Sequence, residues 1–237
     1  MFIFQGKLNW LKYAKNELFI IILPHGNVRA GDVVYLFWQY GFNTNNVTNA
    51  NYFQKLSVER VLKADDGEDV FTLAGSYYNF QVTTHKLYSS LTVDMSKADG
   101  SKSIMDLAQV YKTDGEESLE PMRIWTGKLT WPNYATNEIF FAIAPEGLGA
   151  DKPVQMIWQW TKNAYNQPKF PCILNGRQAQ GEKSDGLFKF TFTDYYTMDC
   201  TWDEKSEKLS ISMAEPHKHK QDLNPMTLAA LYKRETQ

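Results

Sequence analysis

The chain contains the same pattern twice, and this duplication limits the possible folds more than any other feature of the sequence. Gly6–Gly26 reads GKLNWLKYAKNELFIIILPHG and Gly127–Gly147 reads GKLTWPNYATNEIFFAIAPEG, with 12 of 21 positions identical and no gap. After a one-residue deletion, Val34–Tyr40 (VYLFWQY) matches Val154–Trp160 (VQMIWQW). A long-range repeat of this kind indicates two structural units built on one plan.

The match continues in order and spacing to the end of each copy. The later matches are Tyr77-Tyr78 with Tyr195-Tyr196; Leu91, Val93 and Met95 with Leu209, Ile211 and Met213; and Met105, Leu107, Ala108, Tyr111 and Lys112 with Met226, Leu228, Ala229, Tyr232 and Lys233. We therefore predict a first unit at residues 1–115, a second at 122–237, and a short polar, acidic linker at 113–122.

Strand signals dominate both copies. Apolar and polar residues alternate through Phe4–Trp10 and again through Trp125–Trp131, which predicts half-buried strands. Leu18–Leu23 and Ile139–Ala144 are continuous apolar runs that stop at a proline, which is typical of a buried central strand. The spacing of strands and turns predicts an all-β protein, a tandem duplication of an antiparallel β-sandwich or squat β-barrel.

Two short stretches have a pattern that also fits a helix. They are Ser103–Val110 and Pro225–Leu231, which lie at matched positions near the ends of the two copies. We expect these to be the only helical segments in the chain.

Charge and hydropathy exclude several classes of function. The net charge is −2, only 5 of the 25 basic residues are arginine, and no basic block occurs, so we expect no nucleic-acid partner. No apolar stretch approaches the ~20 residues of a membrane-spanning helix, so we expect no transmembrane segment. The first residues lack the features of a signal peptide, which favours a cytoplasmic location by default.

The matched aromatic residues of the third strand are the first candidates for ligand contact. By alternation, Trp38 and Trp158 face the core with the apolar residues around them. Tyr40 and Trp160 lie at the ends of these strands, so we expect their rings to protrude and to contact a ligand. Aromatic faces stack on the apolar C–H faces of sugars, and amides bond their hydroxyls.

Polar and tyrosine positions shared by both copies complete the candidate site. These pairs are Gln39 and Gln159, Asn16 and Asn137, Glu17 and Glu138, and Tyr77 and Tyr195. Each Asn-Glu pair enters the buried strand from a turn, where asparagine suits a left-handed conformation. The glutamates are expected either to satisfy loop N–H groups or to form a polar rim. Alternation predicts that one ring of each Tyr-Tyr pair is exposed.

Metal-binding and nucleophilic chemistry is not part of the repeated plan. None of the four histidines is matched between the copies, and His217 and His219 lie among lysines, as in a solvated loop. Cys172 and Cys200 have no cysteine counterpart, and we expect two reduced thiols. The chain has no phosphate loop, GxSxG elbow or HExxH motif. We therefore predict no catalytic residue, no metal and no cofactor.

The duplication, the aromatic content of 14% and the modest charge favour a lectin-like protein that binds a glycan or another small polar ligand, with one site per copy. Two sites on one chain raise avidity. An alternative is an enzyme with a pocket in or between the copies, using Glu17, Glu138 or Asp194 as its carboxylate. Another is a protein or toxin that binds a lipid surface through exposed aromatic residues.

Overall fold

The computed structural model is all-β, which confirms the predicted fold class. It describes residues 1–42, 45, 47–63, 67–112, 122–162, 168–179, 181–193, 195–215 and 224–233. All regular elements in these ranges are strands, and every pairing between them is antiparallel. Within the same ranges, no helix is long and apolar enough to span a bilayer. The chain divides into two compact units, Met1–Glu116 (unit 1) and Glu117–Gln237 (unit 2).

Unit 1 is a closed barrel. Its eight strands are β1 (Phe2–Trp10), β2 (Ala14–Leu23), β3 (Val33–Phe42), β4 (Thr48–Lys63), β5 (Asp69–Ala74), β6 (Asn79–His85), β7 (Ser90–Ser96) and β8 (Lys102–Lys112). Each strand pairs with the next, and β8 closes the barrel by pairing with β1. At this seam a Cβ on Gly6 would lie 2.6 Å from the backbone oxygen of Asp106, so the close approach of the two strands requires glycine.

Alternation fills the interior of unit 1. In β7, Leu91, Val93 and Met95 are buried and belong to one core cluster, while the residues between them are partly exposed. The same cluster contains Phe19 and Trp38, whose rings stack with their centroids 6.1 Å apart. The core therefore lies inside the barrel, built from every second residue of each strand.

One long strand turns the corner of the unit 1 barrel. The first part of β4 pairs with β3, from Thr48 to Ser57, and its second part pairs with β5, from Val58 to Lys63. The register shifts between Val58 and Arg60, as at a β-bulge, which bends a strand. Because β4 pairs with β3 along its first part and with β5 along its second, the sheet continues without a break around this corner.

Unit 2 repeats this order with one difference. Its strands are β9 (Arg123–Trp131), β10 (Ala135–Ala144), β11 (Pro153–Lys162), β12 (Pro168–Arg177), β13 (Glu182–Ser184), β14 (Leu187–Thr193), β15 (Thr197–Asp203), β16 (Lys208–Ala214) and β17 (Asn224–Lys233). They form a nine-stranded sheet that begins at β12 and ends at β13. The two strands β12 and β13 together replace β4. In the segment that joins β12 to β13, the Ala179 N–H donates to the Thr191 oxygen of β14 at 3.0 Å.

The prediction of two helical segments is wrong. Ser103–Val110 lies within β8 and Pro225–Leu231 lies within β17. From Lys102 to Ala108 in β8, burial alternates strictly, with Met105 and Leu107 buried. A short segment with few apolar residues fits the strand period of two as well as the helical period of 3.6. Pairing with two neighbouring strands decides in favour of the strand.

Other local predictions are confirmed. The continuous apolar runs lie in β2 and β10, each of which has a paired strand on both sides and is buried from its fourth residue onward. Asp185 and Gly186 join β13 to β14 as a two-residue hairpin with φ of 51° and 78°. Positive φ at both central residues is the geometry that favours an Asp-Gly pair.

Candidate functional site

Matched aromatic residues gather at one end of each unit. In unit 1 this aromatic end consists of the β1–β2 turn, the β5–β6 connection and the residues that follow β7; in unit 2 it consists of the corresponding segments. Trp10 meets Tyr78 edge-on, with centroids 5.4 Å apart and planes at 88°. Trp131 meets Tyr196 in the same way at 5.9 Å and 67°. The two copies therefore build the same ring framework at this end.

One tyrosine of each pair projects from this framework. Tyr77 is 60% exposed and Tyr195 is 62% exposed, whereas Tyr78 belongs to the core of unit 1. Each exposed ring packs edge-on against its neighbour in the chain, Tyr78 or Tyr196, at 4.8 Å. The prediction that one ring of each pair faces outward is confirmed, and ligand contact by these rings stays a prediction.

The prediction that Tyr40 and Trp160 protrude is wrong. They are 4% and 7% exposed and belong to the two core clusters. The Tyr40 hydroxyl donates to the Tyr78 hydroxyl at 2.9 Å, and burial raises the pKa of Tyr40. Trp160 packs edge-on against Trp131 at 5.8 Å. At both strand ends, rings from neighbouring strands cover the side chain. Sequence alternation predicts which face of the sheet a residue lies on, but it does not predict how far that residue is buried.

Trp38 and Trp158 lie in the cores, as predicted, but with different neighbours. In unit 1 the ring of Tyr52 stacks on Trp38 with centroids 5.5 Å apart. At the matched register of unit 2, Cys172 pairs with Trp158. Cys172 is partly buried and packs against the unit 2 core, so a thiol stands where unit 1 has a ring.

The matched glutamates and glutamines form buried pairs. Gln39 Nε2 donates to Glu17 Oε2 at 2.9 Å, and Gln159 Nε2 donates to Glu138 Oε2 at 3.1 Å. All four side chains are at most 2% exposed. The polar rim proposed for the glutamates is therefore wrong: each carboxylate is enclosed and satisfied in part by the amide of the neighbouring strand.

The surroundings of the two carboxylates differ. In unit 1 Gly41 offers no side chain, and a Cβ there would lie 2.9 Å from Glu17 Oε1. In unit 2 the matched Thr161 donates its hydroxyl to Glu138 Oε1 at 2.8 Å. Lys169 adds an ion pair with Glu138 Oε1 at 3.4 Å.

The first copy has Asn49 in place of this lysine. Gln39 Nε2 lies 3.3 Å from Asn49 Oδ1, and Asn49 is 5% exposed. Both residues adopt the left-handed conformation, with φ of 53° at Asn49 and 55° at Lys169, so they share one backbone position. The second unit therefore places a positive charge where the first places an amide.

Asn16 and Asn137 behave as predicted in their backbone. Both have φ of 55°, the left-handed conformation that asparagine tolerates. The Asn16 N–H donates to Asn9 Oδ1 at 2.9 Å, and the Asn137 N–H donates to Thr130 Oγ1 at 3.2 Å. Asn137 is exposed and Asn16 is partly exposed. Their side chains are open to a ligand, and binding by them stays a prediction.

The sequence reasoning missed one pair of residues at the aromatic end. Lys97 follows β7 and Glu215 follows β16, at matched positions. The Lys97 ammonium donates to the Tyr77 hydroxyl at 2.6 Å, and this hydrogen bond raises the pKa of Lys97. Burial is the main cause that raises the pKa of Tyr196, followed by Cys172, Tyr195 and then Glu215. A comparison of charges along the aligned copies would have revealed this reversal.

His85 lies away from the aromatic end of unit 1, and both cysteines belong to unit 2. His85 lies at the opposite end of β6, 2.8 Å from Glu68 Oε1 and 2.9 Å from Thr92 Oγ1. Both cysteines are free, and burial strongly raises the pKa of Cys200. Within the described ranges, no three His, Cys, Asp or Glu side chains are grouped to hold a metal. His217, His219 and Asp194 lie outside the described residues, as do residues 64–66 and 113–121.

No protein-family model, curated protein sequence or solved structure matches this chain. The chemistry of the aromatic end is therefore inferred from its own residues.

Proposed function

We propose that this protein binds carbohydrate through the aromatic end of each unit, with Tyr77 as the platform of one site and Tyr195 as the platform of the other. The observation that carries the proposal is the matched exposure of these two rings, each supported edge-on by a second tyrosine. Leaving a large ring about three-fifths exposed in both copies gives up burial that would stabilise the fold. Ligand contact supplies a reason for that exposure.

The chemistry of these positions suits sugars. A tyrosine ring offers a flat apolar face for the C–H side of a pyranose and a hydroxyl that donates and accepts hydrogen bonds. Further tyrosines stand nearby: Tyr13 packs beside Tyr40 at 6.1 Å, and Tyr134 is 38% exposed. The supporting contacts hold the platforms in place, so little conformational entropy is lost on binding.

The duplication gives the two sites a common advantage. Two weak sites on one chain gain effective concentration when both engage the same glycan-bearing surface. Loss of either platform is expected to reduce avidity, and loss of both is expected to abolish binding.

A glycan array tests the proposal with the full chain, three tyrosine variants and one control variant. The unmodified chain is expected to bind a restricted set of glycans. Tyr77→Ala and Tyr195→Ala are each expected to lower surface binding at least about tenfold, and the double variant is expected to lose it. Leu87→Ala is the matched control, because Leu87 is 83% exposed but lies in the β6–β7 turn, away from the aromatic end. Undiminished binding by the double variant would refute the proposal.

A further inference from the structure

In unit 1 the aromatic end already holds a cation of its own. The Lys97 Nζ lies 4.2 Å from the ring centroid of Tyr77, 5.7 Å from that of Tyr78 and 6.0 Å from that of Trp10. Distances up to about 6 Å are those of cation–π contacts. Three rings therefore surround one ammonium group that belongs to the same chain.

Unit 2 keeps the rings of this arrangement. Trp131, Tyr195 and Tyr196 stand at the positions of Trp10, Tyr77 and Tyr78. The Tyr195 and Tyr196 rings meet at 4.8 Å and 78°, close to the 4.8 Å and 89° of the unit 1 pair. Trp131 is 8% exposed and Tyr195 is 62% exposed, so the site has a buried wall and an open one.

The charge beside these rings is reversed in unit 2. Glu215 occupies the position of Lys97, directly after β16, the strand that matches β7. It is partly buried, and Lys97, the residue at its matched position in unit 1, contacts the corresponding tyrosine rings. A carboxylate next to exposed ring faces attracts the same kind of group that Lys97 supplies in unit 1.

We propose that the aromatic end of unit 2 binds an alkylammonium group, held by Trp131, Tyr195, Tyr196 and Glu215 in the place that the Lys97 side chain takes in unit 1. Ring faces carry negative quadrupole charge, and quaternary ammonium ligands are recognised by such aromatic surroundings. Unit 1 is blocked toward the same ligand because its own lysine fills the position.

This proposal goes beyond sugar binding and does not depend on it. A sugar is recognised through C–H faces and hydroxyls, whereas here the ligand is recognised through its positive charge. A neutral molecule of the same shape must therefore bind more weakly, which separates the two proposals in one experiment.

Titration of the full chain with tetramethylammonium chloride, followed through the indole N–H signals in ¹H–¹⁵N NMR spectra, tests the site. The Trp131 signal is expected to shift saturably, and the Trp10 signal is expected to stay in place. Sodium chloride controls for ionic strength. In a second titration choline is compared with 3,3-dimethylbutan-1-ol, its neutral isostere, which is expected to bind at least about fivefold more weakly.

Reciprocal variants make the comparison between units decisive. Glu215→Lys is expected to abolish the shift at Trp131, and Tyr195→Leu is expected to weaken binding about fivefold. Lys97→Glu is expected to create a second saturable response at Trp10. Lys97→Ala removes the internal cation without adding a charge, so it is expected to give a weaker response at Trp10 and serves if Lys97→Glu does not fold.

Separate titrations of the protein with choline and with Nε-trimethyllysine compare two natural sources of the alkylammonium group. Tighter binding of choline assigns a choline-bearing ligand, and tighter binding of trimethyllysine assigns a methylated protein. Absence of a saturable shift at Trp131 with every cation would overturn the proposal. Equal binding of choline and its neutral isostere would overturn it too, as would unchanged cation binding in Glu215→Lys.

Discussion

Unit 1 and unit 2 share a ring framework but differ in the groups beside it. Tyr77 and Tyr195 are exposed to the same degree, while the residue next to each ring pair is Lys97 in one unit and Glu215 in the other. The second unit thus keeps the aromatic positions of the first and reverses the charge beside them. The two aromatic ends are therefore alike in their rings and opposite in the charge beside them.

The same contrast extends into the interior of each unit. The Glu17 carboxylate shares its site with two amides, whereas Glu138 is bonded by an amide, a hydroxyl and an ammonium group. Unit 1 closes through one continuous strand, while unit 2 has a break between β12 and β13. Four predictions use these differences.

Removal of the buried carboxylate is expected to have the largest effect, and a larger one in unit 2. Glu138→Ala leaves the Lys169 ammonium without its ion pair beside a buried site, at a cost of about 4 kcal/mol in the free energy of unfolding. Glu17→Ala removes one acceptor from Gln39, which still faces Asn49, and is expected to cost about 2 kcal/mol. Urea unfolding of the full chain measures both. Equal losses would contradict the difference between the sites, and Glu138→Gln is the isosteric control.

Alkaline pH is expected to weaken unit 1 through Tyr88, whose matched position in unit 2 is Ser206. Burial, and to a smaller extent Asp69, raise the pKa of Tyr88 to about 12. The unfolded chain loses this proton near pH 10 and the folded chain only near pH 12, so stability present below pH 10 is lost between these values. The loss is up to about 2 kcal/mol. Between pH 9 and pH 11.5, the Tyr88→Phe variant is expected to lose less unfolding free energy than the unmodified chain. An equal loss in the two proteins would show that Tyr88 does not cause it.

The break in unit 2 is expected to appear in hydrogen exchange. Amides in the three-residue β13, which pairs only with β14, are expected to exchange about tenfold faster than those of Val58–Lys63 in β4. That ratio corresponds to about 1.4 kcal/mol less opening free energy. Exchange mass spectrometry of the full chain gives the comparison, and equal protection would show that unit 2 is closed as firmly as unit 1.

The smallest expected effect concerns the hydroxyl on Glu138. Thr161→Val removes the donor at 2.8 Å while keeping the branched shape, and is expected to cost about 1 kcal/mol. Gly41→Ala is the matched change in unit 1, where the new methyl group would meet Glu17 Oε1 at 2.9 Å and push the carboxylate aside. Thermal unfolding of both variants is the measurement, and a neutral Thr161→Val would show that this hydrogen bond adds no stability.

Much of the fold was predictable because repetition and alternation are local signals. The matched copies predicted two similar β units, and the Asn-Glu turns predicted the left-handed φ at Asn16 and Asn137. The barrel closure was not predictable, because it depends on how β4 bends and on pairing between the ends of the unit. The split of β4 into two strands in unit 2 leaves no comparable signal in the sequence.

The candidate site was predictable in part. Alternation identified the exposed tyrosines. The position of Tyr40 and Trp160 at strand ends wrongly predicted protruding rings, because burial there depends on rings from other strands. Of the two expectations for Glu17, the polar rim is wrong, because its carboxylate is buried and bonded by Gln39 on the neighbouring strand. Such enclosure arises from contacts between strands that are distant in sequence.

We propose that each unit presents one binding site on its exposed tyrosine. Native mass spectrometry of the full chain with the best glycan from the array tests it most directly by counting bound ligands. We predict two per chain, one for Tyr77→Ala, one for Tyr195→Ala and none for the double variant. Two ligands on the double variant, or one on the unmodified chain, would contradict the claim.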